Sequence, residues 1–394
     1  MKINLEKNKA LFIVFLALIG ATPPLSTDMY LAAIPLIAET WNVGVDVINL
    51  TLVLWFVAFS FFILIFGSLS DKYGRKPVLI FGLVMFVISS FLCAMAQNPF
   101  QLIAFRILQG IGAASPSAIV MAIVRDKFTG RERQQALAYL MTIIAVAPMV
   151  APIIGAMLLD FFSWRYIFIL QGTVVLVSLF FAFSFKESIE DKLTTSLFRL
   201  VTRYTVHFSN KHFMLTSLSM GGLVLPFYGF IAFSPVYYIS IYGLSEKMFS
   251  LFFGLNALSS MIGAIVSSRV IKKFDQMSII TFSIVGCVLG GFGIFLFADD
   301  HYLFFFAFMS IFSFFVGVSR PISGGLILGL VKTDVGSASS FITFYQFISG
   351  ALCMAFVTAD WPDPVLIYGL VILSSSLIVL LLWKSISKKL NPIF

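Results

Sequence analysis

Apolar residues run along this chain in twelve stretches: roughly 11–37, 47–69, 77–96, 99–123, 135–159, 164–184, 213–237, 247–270, 278–298, 302–330, 335–357 and 365–383. Each holds about 20 residues or more, the length at which an α-helix crosses the ~30 Å hydrocarbon core of a bilayer. Polar residues gather in the short connections. The pattern predicts an all-α integral membrane protein with twelve transmembrane helices, since a helix satisfies its own backbone polar groups where no water is available. The longest break, 185–212, carries Lys186, Glu187, Glu190, Asp191, Lys192, Arg199 and Arg203 and divides the spans six and six. It reads as a linker joining an N-terminal six-helix half, 1–184, to a C-terminal six-helix half, 213–394. Lys2, Lys7 and Lys9 precede a first span that outlasts the ~7–15-residue core of a signal peptide, so it reads as an uncleaved first helix.

The cations orient the spans. With the N-terminus in the cytoplasm, all but four of the 26 Lys/Arg lie in the termini or in loops after even-numbered spans, where the positive-inside rule places them. Arg165 and Lys247 fall outside; Arg106 and Arg320 fall within spans. Both termini and the linker are therefore expected to be cytoplasmic.

Composition agrees: 60% of residues are hydrophobic and 11% charged, with a mean hydropathy of +1.02, against roughly 25% charged in soluble proteins. The net charge of +8 is scattered over many loops, so it reflects topology and not nucleic-acid binding. Cys93, Cys287 and Cys353 fall inside apolar runs and read as core. No Walker loop, metal-ligand cluster or nucleophilic triad is present, which argues against an ATP-driven pump, an enzyme, a cofactor or a bound metal. The expected partners are the lipid bilayer, a small-molecule substrate and protons, with the chain acting as a monomer.

Asp28 is the only one of the 18 acids inside a span. An ionisable group at a helix centre costs about 2.5–3.5 kcal/mol on insertion scales, so it faces a cavity and serves a function. Burial disfavours its charged form and a nearby cation favours it, so its proton affinity responds to its surroundings. An interaction with Arg106 in span 4, direct or through water, is geometrically possible. At ~1.5 Å per residue, Asp28 lies ~16 Å below Glu39 and Arg106 ~10 Å below Pro99, similar depths from one face. The alternative for Arg106 is a purely structural hydrogen-bonding role.

In span 10, Arg320-Pro321 followed by Gly324-Gly325 places a charge, an expected helix break and small residues together. Two arginines against one aspartate disfavour a purely cationic substrate. Tyr30, Gln109, Tyr228, Asn256, Tyr345 and Gln346, polar or aromatic residues in apolar spans, are further candidates for a substrate cavity. Pro148, Pro152 and Gly155 at near-helical spacing would bend or loosen span 5.

The connection between spans 2 and 3, Gly67-x-x-x-Asp71-Lys-x-Gly74-Arg75-Lys76, resembles a signature of the major facilitator superfamily. Arg106-Ile-Leu-Gln109-Gly110-Ile-Gly112 resembles its span-4 motif, and Ala147-Pro148-Met-Val-Ala-Pro152-Ile-Ile-Gly155 its span-5 antiporter motif, here with alanines where the motif has glycines. With Thr27-Asp28-Met-Tyr30-Leu-Ala-Ala-Ile-Pro35, the chain is most similar to the bicyclomycin/chloramphenicol-resistance (Bcr/CflA) branch of drug–proton antiporters. The resemblance implies the major facilitator fold of two pseudosymmetric halves. Ser268-Arg269-Val-Ile-Lys272-Lys273-Phe-Asp275 echoes the first-half loop in place and charge, without its glycines. It also implies a conformational latch built from Gly67, Asp71, Gly74 and Arg75, with Asp126 pairing the arginine and Thr333, Asp334 and Gly336 receiving the latch at the start of span 11. Proton coupling would fall to Asp28 and Arg106.

The function implied is proton-coupled efflux of drugs or other amphiphilic molecules by alternating access, in a bacterial inner membrane. The alternative is export or uptake of an endogenous anionic metabolite, such as a siderophore or amino-acid derivative.

The topology is open to test: in a chain whose own cysteines are replaced, a cysteine at Arg199 should resist an impermeant maleimide in intact cells. Strong labelling from outside would invert the assignment.

Overall fold

The computed structural model describes residues 8–189, 207, 209–331 and 335–390. The first span is not one helix. Helix α1 (Lys9–Gly20) starts behind Asn8, whose side chain accepts from the Leu11 N–H. It gives way to α2 (Thr22–Asp28), a 3-10 turn (Leu31–Ala33) and α3 (Ile34–Trp41), and the span bends by 42° at its first break. Prolines account for the interruptions. Pro23 and Pro24 have no N–H to offer the preceding turn and Pro35 none for the 3-10 turn, and each falls in the first turn of the helix that follows, where no N–H is needed.

The remaining spans of the first half are α4 (Val45–Tyr73), α5 (Arg75–Met95), α6 (Pro99–Lys127), α7 (Gly130–Phe161) and α8 (Arg165–Ser184). Gly74 separates α4 from α5 at φ +113°, ψ 152°, a conformation that only glycine adopts without strain. This lets α5 start at the next residue. The second half contains α9 (Lys211–Pro235), continued by a π-helical turn (Val236–Ile241), then α10 (Glu246–Val270), α11 (Gln276–Phe297), α12 (Tyr302–Gly329), α13 (Val335–Val357) and α14 (Pro364–Leu390). Among the described residues, eleven helices are long and apolar enough to cross a bilayer, and the bent α1–α3 makes a twelfth.

The described residues fall into two compact units, one within 8–189 and one within 207–390. Inside the first, α6 packs along both α4 and α5, α5 along α8, and the bent span against α7. Inside the second, α12 packs along α10 and α11, α11 along α14, and α9 along α13. The same pairing in the same order makes each unit a copy of one six-helix design. Small residues set the closest approaches, as they do where helices pack in lipid. A Cβ on Gly110 would lie 2.6 Å from the Trp55 carbonyl oxygen, and one on Gly112 2.6 Å from the Phe86 nitrogen. In the second unit Gly317 lies against Ser260 and Gly290 against Phe308. Large apolar side chains such as Phe81, Ile88, Phe180, Phe282 and Leu381 point outward, as an apolar solvent permits.

One sequence expectation is corrected. No break occurs at Arg320-Pro321: α12 runs through it, because a single proline removes one ladder hydrogen bond without ending a long helix whose later N–H groups remain paired. A Cβ on Gly67 would meet nothing within 4 Å.

These contacts separate the glycines by role. Gly112→Val should force α5 and α6 apart and destabilise the fold by about 1–3 kcal/mol, whereas Gly67→Ala should leave thermal stability in detergent near wild type. Fluorescence-detected size-exclusion chromatography after heating would compare them.

Candidate functional site

The breaks in the first span are fastened by side chains. The Ser26 carbonyl in α2 accepts from Arg106 Nη1 at 3.1 Å and from Gln171 Nε2 at 3.3 Å, and Gln171 Nε2 also reaches the Leu25 carbonyl at 3.2 Å. Arg106 Nη1 further donates to Ser26 Oγ at 3.1 Å and Gln109 Oε1 at 2.5 Å. Gln109 Nε2 donates to Ser90 Oγ at 2.7 Å and Gln171 Oε1 at 3.0 Å. Donors from α6 and α8 thus converge on the broken span, with α5 supplying Ser90. The Arg106 side chain is wholly buried, with its guanidinium carbon 5.0 Å from the Tyr30 ring, 5.7 Å from Trp55 and 5.8 Å from Phe168. Electron-rich faces thereby receive part of its charge.

Asp28 ends α2, two residues after Ser26. It is 4% exposed, and its Oδ1 accepts from Thr27 Oγ1 at 2.7 Å. No Asp28–Arg106 ion pair is formed among the described residues. Arg106 bonds through Nη1 alone, to Ser26 and Gln109, while its buried Nε and Nη2 have no hydrogen-bond partner among the described residues, so Asp28 and Arg106 share a stretch of backbone and not a direct bond. Gly155 of α7 abuts the Met29 carbonyl, where any Cβ would collide. The span-5 motif therefore packs on the residue next to Asp28. Pro152 is buried and Pro148 half-buried within an unbroken α7. Tyr30 and Gln109, taken from sequence as cavity residues, are fully buried, and Tyr30 donates its hydroxyl proton to Thr51 Oγ1 at 3.0 Å.

A second cluster forms at the α4–α5 turn. Arg75 is 3% exposed, with Nη1 on Asp71 Oδ1 and on Ser70 Oγ at 2.6 Å each and Nε on Asp126 Oδ2 at 3.1 Å. Glu187, just past α8, caps the start of α5 by accepting from the backbone N–H groups of Arg75 at 2.9 Å and Lys76 at 3.2 Å. A carboxylate at a helix N-terminus meets unpaired donors and the positive end of the helix dipole. Lys76 Nζ in turn donates to the Phe183 carbonyl at 2.7 Å, near the end of α8. The receiving residues expected at the start of span 11, Thr333 and Asp334, lie outside the described residues. A Cβ on Gly336 would meet nothing within 4 Å.

In the second unit, Arg320 Nη2 of α12 reaches Tyr228 Oη of α9 and Gln346 Oε1 of α13, both at 3.3 Å. Tyr345, adjacent to Gln346, lies across Gly221 and donates to the Leu218 carbonyl at 3.3 Å. Asn256 is buried in α10, and its Oδ1 has no hydrogen-bond partner among the described residues.

A sequence model of the Major Facilitator Superfamily matches residues 13–354. The chain belongs to this superfamily. It is 30% identical over 350 residues, 87% of this chain and 86% of its relative, to the uncharacterized MFS-type transporter YdgK of Bacillus subtilis. It is 25% identical over 366 residues, 90% of this chain and 91% of the relative, to a bicyclomycin resistance protein homolog of Haemophilus influenzae. The crystal structure of the nucleoside transporter NupG superposes with a TM-score of 0.76 at 12% identity, covering 96% of this chain and 100% of that one, a likeness of fold alone. The chain is thus a multi-pass membrane transporter of small molecules and not an enzyme.

Sequence reasoning missed Gln171, Ser90 and Glu187 as members of these clusters. Gln171-Gly172 in span 6 echoes Gln109-Gly110 in span 4, a polar residue beside a glycine in an apolar run, and that echo was the available signal. Glu187 was assigned to the linker because its only sequence feature is a charge past the end of a span.

Replacing Gln171 by Leu should leave the Leu25 carbonyl without its side-chain donor and deprive Gln109 of an acceptor. The expected cost is about 1–3 kcal/mol of stability, read as a lowered melting temperature, with transport reduced more than protein yield.

Proposed function

We propose that this superfamily member exports small amphiphilic molecules in exchange for protons by alternating access, with Asp28 as the group that carries the proton. The observation that supports this most is the position of Asp28: a buried acid ending a helix segment whose Ser26 carbonyl is held by Arg106 and Gln171 and whose neighbour Met29 is packed against Gly155. A shift of the first span against α6, α7 or α8 changes the surroundings of that carboxyl, and the charge state of the carboxyl biases which arrangement is stable. This reciprocity is what exchange of proton for substrate requires. The relative named for bicyclomycin resistance supports export of a drug-like substrate.

The Asp71–Arg75–Asp126 cluster serves in this scheme as the first-half anchor of a cytoplasmic latch. A guanidinium held by two carboxylates on separate helices ties α5 to α4 and α6, so the three helix ends move as one body. The protein resides in a bacterial inner membrane, functions as a monomer and keeps both termini in the cytoplasm.

Asp28→Asn tests the proposal. The amide imitates the protonated acid, so substrate affinity should become nearly independent of pH, while in wild type it changes as the carboxyl passes from protonated at low pH to ionised at high pH. Proton-driven accumulation in proteoliposomes should fall to background, and substrate–substrate counterflow should persist. If Asp28→Asn still builds a substrate gradient from a proton gradient, Asp28 is not the coupling group.

A further inference from the structure

From the cluster in the second unit we infer that Arg320, Tyr228 and Gln346 form a recognition site for the anionic group of the transported molecule, a carboxylate or similar planar oxyanion joined to an apolar or aromatic body. The inference rests on the chain being a transporter of amphiphiles and is independent of which residue carries the proton.

Arg320 lies nine residues before the end of α12 at Gly329, hence ~13 Å into the span. It is nevertheless exposed. A guanidinium facing lipid at such depth is costly, so the exposed face belongs to a water-filled space. Gly324, one turn further along the same face, and its neighbour Gly325 agree with this: a Cβ on either would meet nothing within 4 Å. The wall beyond the arginine is open and unobstructed.

What holds Arg320 is neutral. Tyr228 Oη and Gln346 Oε1 fix one nitrogen, Nη2, at 3.3 Å each. No carboxylate lies within ion-pair distance among the described residues, and no span of the second half contains an acid. The guanidinium is oriented and its charge is left uncompensated. It can still present its planar fork to a carboxylate, the geometry in which arginine binds most strongly, while a cationic group would be repelled. Tyr228 is itself held rigidly, its ring against Gly350, where a Cβ would lie 2.7 Å from Cγ, and 5.3 Å from Phe347. Phe347, whose ring packs on that of Tyr228, borders the polar triad with aromatic surface suited to the rest of an amphiphile.

The test is equilibrium dialysis of the purified full-length protein in detergent at pH 7, with no gradient, against three labelled probes of one shape: 2-naphthoate, 2-naphthamide and naphthyl-trimethylammonium. Wild type should bind naphthoate at least tenfold more tightly than the amide and the cation weakest. Arg320→Gln should abolish that preference, while Arg320→Lys, which keeps the charge and controls for folding, should retain most of it. Because binding is read at equilibrium with no gradient, loss of the preference reports this site, whereas failure of proton coupling would appear only in gradient-driven accumulation. The proposal is overturned if the amide or the cation binds as well as the acid, if Arg320→Gln keeps the preference, or if no probe is retained above protein-free micelles.

Discussion

A helix cannot break inside a bilayer unless something other than water takes up the backbone groups that the break releases. The first half of this transporter is organised around that constraint. Its first span carries three prolines, Pro23, Pro24 and Pro35, and is interrupted twice. The carbonyls of Leu25 and Ser26 are met by Gln171 and Arg106. Those side chains in turn require Gln109 and Ser90, which places α6, α8 and α5 around the break. The broken span is thus affordable only because its neighbours are polar at matching depth, and Asp28 sits where the break and the neighbours meet.

The same constraint explains why two cations can lie within spans without carboxylate partners and still do different things. Arg106 is wholly buried among aromatic rings; its Nη1 bonds carbonyl, hydroxyl and amide oxygens, while its Nε and Nη2 have no hydrogen-bond partner among the described residues. It behaves as a structural fastener adjacent to a titratable group. Arg320 is exposed, held at one nitrogen by neutral acceptors, and borders open space. The two equivalent half-structures have therefore placed an arginine in spans 4 and 10 to opposite ends: one closes a backbone defect, the other leaves a charge available. Residue type and span number alone do not separate these outcomes, because the difference lies in what the neighbouring helices offer.

Glycines show a similar division. Gly110, Gly112 and Gly155 are required by sub-van der Waals approaches to the backbones of Trp55, Phe86 and Met29. Gly74 is required by its backbone dihedrals. Gly67, Gly324 and Gly325 meet nothing. Only the first two groups constrain the fold described here, although every one of these glycines stands out equally in an apolar run.

Much of the architecture was legible in the sequence because it follows from one-dimensional quantities. The lengths of the apolar runs are set by bilayer thickness, and the similarity of the Gly67–Lys76, Arg106–Gly112 and Ala147–Gly155 segments to superfamily motifs pointed to the family that the match over residues 13–354 then established. Gly74 and the Arg75–Asp126 pair fell in the motif positions named from sequence. Other features depended on three-dimensional register and were decided only by tertiary structure. The partner of Arg106 proved to be the Ser26 backbone and Gln109, not Asp28, because a guanidinium bonds whichever acceptor the packed helices bring within about 3 Å, and depth along a helix axis says nothing about rotation around it. Pro321 left α12 intact while Pro23 and Pro24 accompanied a break, since one missing donor is tolerated in a long helix and two consecutive ones leave adjacent carbonyls unmet. Gln171 and Glu187 joined their clusters from distant segments, through contacts that no local pattern encodes.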